Sequence, residues 1–148
     1  MFFQALRDIT KRIKGLDPDE LMEEVWKQED TQEIIVELNT RGQLFNKGID
    51  SEEDSLGEYA PFTIERKIES GLPTDRVTLF QEGNFYKSFY IIPHKKGFII
   101  EADPIAGDSN LFDNFGEDII GLTDDSKAIL IQKIILRIQN EFRASTYL

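Results

Sequence analysis

The sequence predicts an α+β domain in which long N-terminal and C-terminal helices pack on a small antiparallel β-sheet. Near both ends, apolar residues recur every three or four positions, which is the spacing of an amphipathic helix. In between, two runs rich in β-branched and aromatic residues, 85–92 and 98–102, flank Pro93-His94-Lys95-Lys96-Gly97, a pattern typical of a β-hairpin. With 148 residues, 40% of them hydrophobic, the chain can bury one core, so we predict a single domain over residues 1–148.

Residues 1–16 predict a short amphipathic helix that precedes the core of the domain, residues 17–148. Its apolar stripe consists of Phe2, Leu6, Ile9, Ile13 and Leu16. The other sides of the helix carry the basic residues Arg7, Lys11, Arg12 and Lys14. The helix is short and the rest of the chain is acidic, which argues against a membrane surface and for packing on the domain's own core or on another subunit. Two adjacent aromatic residues keep the second alternative open, so Phe2, Phe3 and Leu6 are candidate subunit-interface residues.

The second helix begins with an N-terminal signal. Asp17 is a candidate N-cap, Pro18 suits the first helical position, and Glu20 stands where it closes a capping box. The helical pattern extends to Phe45 but is interrupted by the polar residues 27–32, so we expect the helix to be bent or split there. A new cap is expected at Asp30 or Thr31.

The rest of the chain predicts two loops and two further helices. Residues 46–60 read as a loop, Pro61 opens a short helix that continues to Ser70, and 103–110 form a second loop. Thr123 caps the final helix. The apolar stripe of that helix consists of Ala128, Ile131, Ile135, Ile138 and Phe142. Additional apolar residues widen this face and predict burial on two sides: Ile129, Leu130, Ile134 and Leu136.

Charge is the strongest bulk property. The 28 acids and 17 bases leave a net charge of -11, which disfavours a free nucleic-acid binder because the field of the protein repels phosphates. Both ends are basic, and acidic blocks lie between them. In an assembly, the basic end of one copy could join the acidic block of its neighbour, so Asp19, Glu20, Glu23 and Glu24 are candidate interface residues. The alternative is that these acids are solvated helix faces.

Little in the sequence indicates an enzyme. There is no cysteine, which excludes disulfides, thiol catalysis and thiolate metal sites, and His94, the single histidine, lies in the predicted turn. No glycine-rich phosphate-binding motif is present. Residues 50–54 resemble a calcium loop, but Ser55 and Pro61 replace the required Gly and Glu. We therefore expect no catalytic residue, metal or cofactor, although 28 acids leave a carboxylate enzyme as a remote alternative.

Four segments between the helical ends have a recurring spacing. Residues 44–50 follow the pattern F-x-x-G-x-D, and residues 57–63 follow G-x-W-x-P-L, with Tyr59 for the Trp and Phe62 for the Leu. Residues 79–88 follow L-x-x-T-G-x-L-x-x-S, with Glu82 for the Thr and Phe85 for the Leu. Residues 114–123 contain Asn-Phe-Gly followed by Ile-Ile-Gly-Leu-Thr. In this order they resemble the phage virion morphogenesis family, small tail-completion proteins of the head–tail junction. The likeness covers about residues 31–143. A Pro-x-Arg expected before the last glycine motif is absent, since residues 116–118 are Gly-Glu-Asp.

We expect the matched positions to shape the fold rather than to carry out chemistry. They are Phe45, Gly48, Gly57, Tyr59, Pro61, Phe62, Gly83, Phe85, Ser88, Phe115, Gly116 and Gly121. We expect positive φ or close backbone approach at glycines 48, 57, 83 and 121. We also expect a hydrophobic junction between the loop, the hairpin and the helices, closed by Tyr59, Phe62, Phe80, Phe85 and Phe115.

The resemblance implies a non-enzymatic virion protein of the phage neck, without a cofactor, that completes the tail or joins it to the head. Its implied partners are other copies of itself in a ring, expected to be a hexamer, and the neighbouring connector, tail-terminator or tail-tube proteins. DNA would only pass through the ring, no membrane would be involved, and assembly would take place in the host cytoplasm. The alternative is a small acidic inhibitor or DNA mimic that acts on a nucleic-acid enzyme.

Overall fold

The computed structural model describes residues 17–146, with side chains as far as Asn140. Residues 1–16, including the candidate interface residues Phe2, Phe3 and Leu6, lie outside the described range, as does the side chain of Phe142. Helices and two small antiparallel hairpins make up the described part, which confirms the α+β class. No helix within it is both long enough and apolar enough to cross a bilayer.

The helical N-terminal part is split. Helix α1 spans Pro18–Lys27, α2 spans Glu29–Glu37, and a π-helical segment, Leu38–Phe45, continues α2. Asp17 caps α1, because its Oδ1 accepts a hydrogen bond from the Asp19 amide at 3.0 Å. The predicted interruption is confirmed, but α2 starts at Glu29, earlier than the expected caps Asp30 and Thr31.

A distant arginine explains where the break falls. The backbone of Gln28 is extended, with ψ 131°, and ends α1. Arg137 donates to Gln28 Oε1 and to Thr31 Oγ1, both at 2.8 Å. Thr31 is thereby a buried contact of the C-terminal helix rather than a cap, and no local pattern in the sequence reveals this.

The remaining elements follow in chain order. They are α3 (Pro61–Glu69), α4 (Asn84–Lys87), β1 (Tyr90–His94), β2 (Gly97–Glu101), β3 (Ile105–Ala106), β4 (Ser109–Asn110), α5 (Leu111–Phe115), a 3₁₀ turn (Glu117–Ile119) and α6 (Asp124–Thr146). Pro61 opens α3 as expected. Asn46 and Lys47 are still helical, so the first loop covers residues 48–60 rather than 46–60, with one bridge between Ile49 and Ser55. The second predicted loop contains the β3–β4 hairpin.

The main hairpin is shorter than predicted. Strand β1 begins at Tyr90, whereas residues 84–87 form α4, so the expectation of a strand from Phe85 is wrong. Gly83, in the left-handed conformation with φ 87°, turns the chain into this helical turn. The hairpin itself is confirmed: Ile91 pairs with Ile100, and the two-residue turn lies between His94 and Gly97.

The described residues form two neighbouring hydrophobic cores, and Val36 of α2 and Ile100 of β2 contact both of them. The first core unites α1, α2, β1 and α6 through Met22, Trp26, Ile35, Ile91, Leu122, Leu130 and Ile134. The second surrounds the end of the π-helical segment and consists of Leu44, Phe85, Tyr86, Phe89, Ala102, Leu111 and Ile119.

Helix α6 is buried on one side only. Thr123 caps it as predicted, since Thr123 Oγ1 accepts from the Ser126 amide at 3.1 Å. Leu130 and Ile134 are the buried centre of its face. Ala128, Ile129 and Leu136 are exposed, so burial on two sides is wrong for the described residues. The reason is that α2, the π-helical segment and the hairpin all contribute to the core on one side of the helix.

Candidate functional site

The motif segments meet at the C-terminal end of the π-helical segment. We call residues 44–50, 57–63, 79–88 and 114–123 the motif junction. Leu44, Phe85 and Ile119, from three of these segments, belong to the same buried core. Beside them, the Ser51 amide donates to Asp118 O at 2.8 Å and ties the first loop to the last segment. Segments far apart in sequence thus form one structural unit.

Two buried amide side chains hold the last segment of the junction; we call Asn39 and Gln43 the polar clamp. Asn39 Nδ2 donates to Ile119 O at 3.0 Å, and its Oδ1 accepts from the Gly121 amide at 2.8 Å. Gln43 Nε2 donates to Gly121 O at 2.8 Å, and its Oε1 accepts from the Thr123 amide at 2.9 Å. The clamp therefore satisfies four main-chain groups where the chain turns into α6.

The sequence analysis missed the polar clamp. A signal was present, because Asn39 and Gln43 continue, at four-residue spacing, the face that carries Thr31 and Ile35. Polar residues that interrupt a buried stripe need hydrogen-bond partners. Their partners, however, lie about 80 residues away in the chain.

The motif glycines have the predicted conformations. Positive φ is found at Gly48, Gly57, Gly83 and Gly121, as well as at Gly116. At Gly48, with φ 62°, a Cβ atom would lie 2.9 Å from both Arg76 Cβ and Val77 O. At Gly121, with φ 135°, it would lie 3.0 Å from Ser51 Cβ. Only glycine permits these close approaches.

Most of the predicted aromatic junction forms. Phe85 is buried, and edge-to-face contacts join Phe45 to Phe80 and Phe80 to Tyr86, with ring centroids 5.7 and 5.2 Å apart. Phe115 is half-buried against the same core. Tyr59 joins through its hydroxyl, which accepts from the Thr78 amide at 2.8 Å.

Phe62 does not join the aromatic junction: it is 69% exposed, and the expectation that it closes the junction is wrong. Pro61 starts α3 as predicted, and the buried residue of that helix is Lys67, five positions after Phe62. Five residues correspond to about 140° around a helix, which places the two side chains on opposite sides.

Hydroxyl groups connect α4 to its surroundings. Tyr86 donates to Thr78 O, and burial raises the pKa of the Tyr86 phenol above its ordinary value. Ser88 Oγ donates to Phe85 O at 2.6 Å and accepts from the Asp103 amide at 2.9 Å. Thus the serine of the third motif links α4 to the chain that follows β2.

Three cations lie against the aromatic junction. The Arg41 guanidinium is 4.9 Å from the Phe45 ring centroid and 5.0 Å from that of Phe80. Arg76 Nε donates to Phe45 O at 2.6 Å. Lys67, only 4% exposed, donates to Phe80 O and lies 5.1 Å from the centre of the Tyr59 ring. The sequence analysis missed all three, because no local pattern indicates that these side chains lie against the aromatic rings, and a buried lysine such as Lys67 is unusual.

Asp50 and His94, two polar residues that the sequence analysis singled out, form hydrogen bonds with nearby main-chain amides. The Asp50 Oδ1 atom accepts from the amides of Glu52 and Asp54, at 2.9 and 3.0 Å, and so closes the turn that superficially resembles a calcium loop. His94 is exposed, and its Nδ1 accepts from the Lys96 amide at 3.2 Å. Within residues 17–146, no group of three or more His, Asp or Glu residues is arranged to hold a metal ion.

The candidate interface acids lie on α1. Glu20 and Glu24 are exposed, while Asp19 and Glu23 are half-buried. Lys27 Nζ lies 3.7 Å from Glu23 Oε1 and 3.5 Å from Glu24 Oε1. Two of the four acids are therefore partly neutralised by their own helix.

An open cleft of about 660 Å³ borders the motif junction; we call it the β2–α6 cleft. The apolar residues that line it are Phe98, Ile100, Ile120 and Leu122. The charged residues that line it are Glu52, Glu53, Asp124 and Lys127. A second open cleft, the α2–β1 cleft, has Glu29, Glu33 and Glu37 around Val36, Phe89, Tyr90 and Ile91. Both clefts combine apolar contacts with negative charge.

Comparison with known proteins identifies no relative: no protein-family model, curated protein or solved structure matches this chain. The resemblance of the four motif segments to the phage family therefore stays a prediction.

Proposed function

We propose that the protein is a non-enzymatic structural component of a phage neck, where copies of it form a ring that completes the tail or joins the tail to the head. The observation that supports this best is that three of the four motif segments share one buried core, and that the remaining segment, 57–63, is tied in beside them by the hydrogen bond from the Thr78 amide to the Tyr59 hydroxyl.

The hydrogen bonds of the junction also favour a building block. Asn39, Gln43, Tyr59 and Ser88 all bond to the main chain of distant segments. Such bonds fix the shape of the backbone, whereas a catalytic site directs polar groups toward a bound substrate. A subunit that must match its neighbours in a ring needs this kind of rigidity.

Exposed apolar side chains supply candidate contact surfaces. Ring closure requires two different, complementary faces on each subunit. The large exposed hydrophobic residues lie on several elements: Phe62 and Ile68 on α3, Tyr90, Ile92 and Ile99 on the main hairpin, Ile105 on β3, and Ile129 and Leu136 on α6. Phe62 is the most informative of them, because it occupies a motif position without serving the core.

Removal of the gene from the phage or prophage that carries it tests this proposal directly. We expect heads and tails that remain unjoined, or tails that are incomplete, when lysates are viewed by electron microscopy, with particles restored by the gene supplied in trans. Normal numbers of infectious particles without the protein would overturn the proposal.

The acidic face of α1 can be tested separately in a reconstituted assembly. If it contacts a basic surface of the neighbour, Asp19→Lys with Glu20→Lys should weaken assembly, and high salt should do the same by screening. Glu58→Lys with Glu82→Lys, two exposed positions outside α1 and α3, is a control of equal charge change. Assembly that is indifferent to both salt and the α1 reversal would remove this interface.

One observation favours the alternative, an acidic inhibitor or DNA mimic. Glu29, Glu33 and Glu37 are exposed at four-residue intervals along α2, about 6 Å apart along the helix axis. Such a row of negative charge could occupy a basic cleft of a nucleic-acid enzyme. This alternative predicts a monomer or dimer in light scattering that competes with DNA for such an enzyme, whereas a ring on a tail would exclude it.

A further inference from the structure

We infer that the β2–α6 cleft is the binding surface for the protein's own residues 1–16. This inference does not depend on the proposed function. It rests on the chemistry of the cleft, on the chemistry of the segment, and on where the segment joins the described domain.

The cleft combines a partly exposed apolar floor with an acidic rim. Phe98, Ile100 and Ile120 are each half-buried, although they belong to or contact the two cores. The rim acids Glu52 and Glu53 are exposed, and no Lys or Arg of the described residues lies within 4.0 Å of their carboxylates. A ligand that suits this surface is apolar on one side and basic on the other.

Residues 1–16 have that composition. They contain four basic residues and one acid, giving a net charge of +3, and five apolar residues at helical spacing form one stripe. In contrast, residues 141–148 contain one acid and one base, so they have no comparable charge preference for the cleft. Charge complementarity therefore selects the N-terminal segment.

The segment is also long enough and begins in the right place. It joins the domain at Asp17, the N-cap of α1, and Trp26 of the same helix contacts Phe98 of the cleft with ring centroids 5.0 Å apart. The ten residues of α1 span about 15 Å, and 16 residues in a helix span about 24 Å. Because the segment is covalently attached, its effective concentration at the cleft is in the millimolar range, which favours it over the same segment of a second copy.

The other apolar surfaces suit the segment less well. The outer face of the main hairpin carries Tyr90, Ile92 and Ile99 but lies next to the basic turn residues 95–96, which repel the segment. In the α2–β1 cleft, Phe89 and Ile91 are already buried, so that its apolar surface is reduced to the half-buried Val36 and the ring of Tyr90. In the described domain, the β2–α6 cleft combines three half-exposed apolar residues, Phe98, Ile100 and Ile120, with the exposed acids Glu52 and Glu53, while the cation on its rim, Lys127, lies 3.9 Å from Asp124.

Paramagnetic labelling of the full-length protein tests the inference. Because the chain has no cysteine, Glu52→Cys provides a single site for a nitroxide at the rim of the cleft. We expect the amide signals of residues 2–16 to be broadened in this sample. A label at Glu33→Cys, on the rim of the α2–β1 cleft, is the matched control and should leave those signals sharp.

A mixed sample identifies the source of the segment. Isotope-labelled wild-type protein is combined with unlabelled, nitroxide-bearing Glu52→Cys protein, so that only contacts between copies cause broadening. We expect none. Broadening in the mixed sample would show that the segment of a second copy occupies the cleft, and broadening from Glu33→Cys would place it in the other cleft. Either result, or no broadening from Glu52→Cys, would overturn the inference.

Charge reversal tests the role of the acidic rim. Glu52→Lys with Glu53→Lys should reduce the ratio of bound to unbound segment by about fivefold or more, since two ion pairs are replaced by repulsion. Glu33→Lys with Glu37→Lys changes the net charge equally and should leave the ratio nearly unchanged. Equal losses in both variants would mean that overall charge, rather than this cleft, governs the segment.

Discussion

Replacement of Asn39 by alanine is the sharpest test of how the motif junction is held together. Asn39 is fully buried, and its side chain bonds to Ile119 O and to the Gly121 amide. Truncation leaves a buried acceptor and a buried donor without partners, at about 1–3 kcal/mol each. We therefore expect Asn39→Ala to lower the free energy of unfolding by about 2–6 kcal/mol.

Urea unfolding measures this loss. Trp26, the single tryptophan, is fully buried and reports on unfolding by its fluorescence. For a chain of this size, each kcal/mol corresponds to about 2–4 °C in Tm, so thermal unfolding should show a large shift as well. Asn46→Ala, at an exposed position just beyond the π-helical segment, is the control and should change stability by less than about 0.5 kcal/mol.

The position of the loss is also predicted. If the polar clamp holds residues 119–123, hydrogen exchange of the Gly121 and Thr123 amides should accelerate in Asn39→Ala more than exchange in β1. A stability equal to that of Asn46→Ala, or unchanged protection at Gly121, would refute the argument that the clamp stabilises the junction.

Three further outcomes are expected. Tyr86→Phe should lower the free energy of unfolding by about 1 kcal/mol at neutral pH, because the hydrogen bond to Thr78 O is lost. In the wild type, burial raises the Tyr86 pKa, so the stability is complete below the ordinary Tyr pKa of about 10 and declines above it as the phenol of the unfolded chain ionises. Alkaline denaturation should therefore be weaker in the variant. Gly48→Ala should cost at least about 1 kcal/mol more than Gly57→Ala in urea unfolding, because both have positive φ but only Gly48 has neighbours at 2.9 Å; equal losses would contradict this. The hydrogen bond from Arg137 lowers the Asp30 pKa, so the stability difference between wild type and Asp30→Asn should be present above the ordinary Asp pKa and should disappear as the pH falls below it; a difference that persists in acid would exclude this ion pair as its cause.

The motif junction is the rigid part of the described domain, as the proposed role of a ring subunit requires. Its buried polar groups, the polar clamp and Lys67 among them, are bonded to main-chain atoms of distant segments. Bonds of this kind specify one arrangement of loops that would otherwise have many. The exposed Phe62 and the acidic face of α1 would then present contact residues from a fixed backbone.

Local patterns in the sequence were sufficient for several elements. The start of α1 at Asp17, the start of α3 at Pro61, the cap of α6 at Thr123 and the turn of the main hairpin all depend on residues within a few positions of each other. Capping and turn chemistry are local, so the sequence by itself determined them. The positive φ of the motif glycines was predictable for the same reason.

Only the tertiary structure decided which polar residues are buried and which apolar ones are not. The partners of Asn39 lie about 80 residues away, and those of Arg137 more than 100, so no local pattern could reveal the polar clamp or the break at Gln28. Lys67 is buried and Phe62 exposed because α3 packs through the face that carries the lysine. Burial depends on which surfaces meet in the folded chain, and that is set by contacts between segments rather than by the periodicity within one.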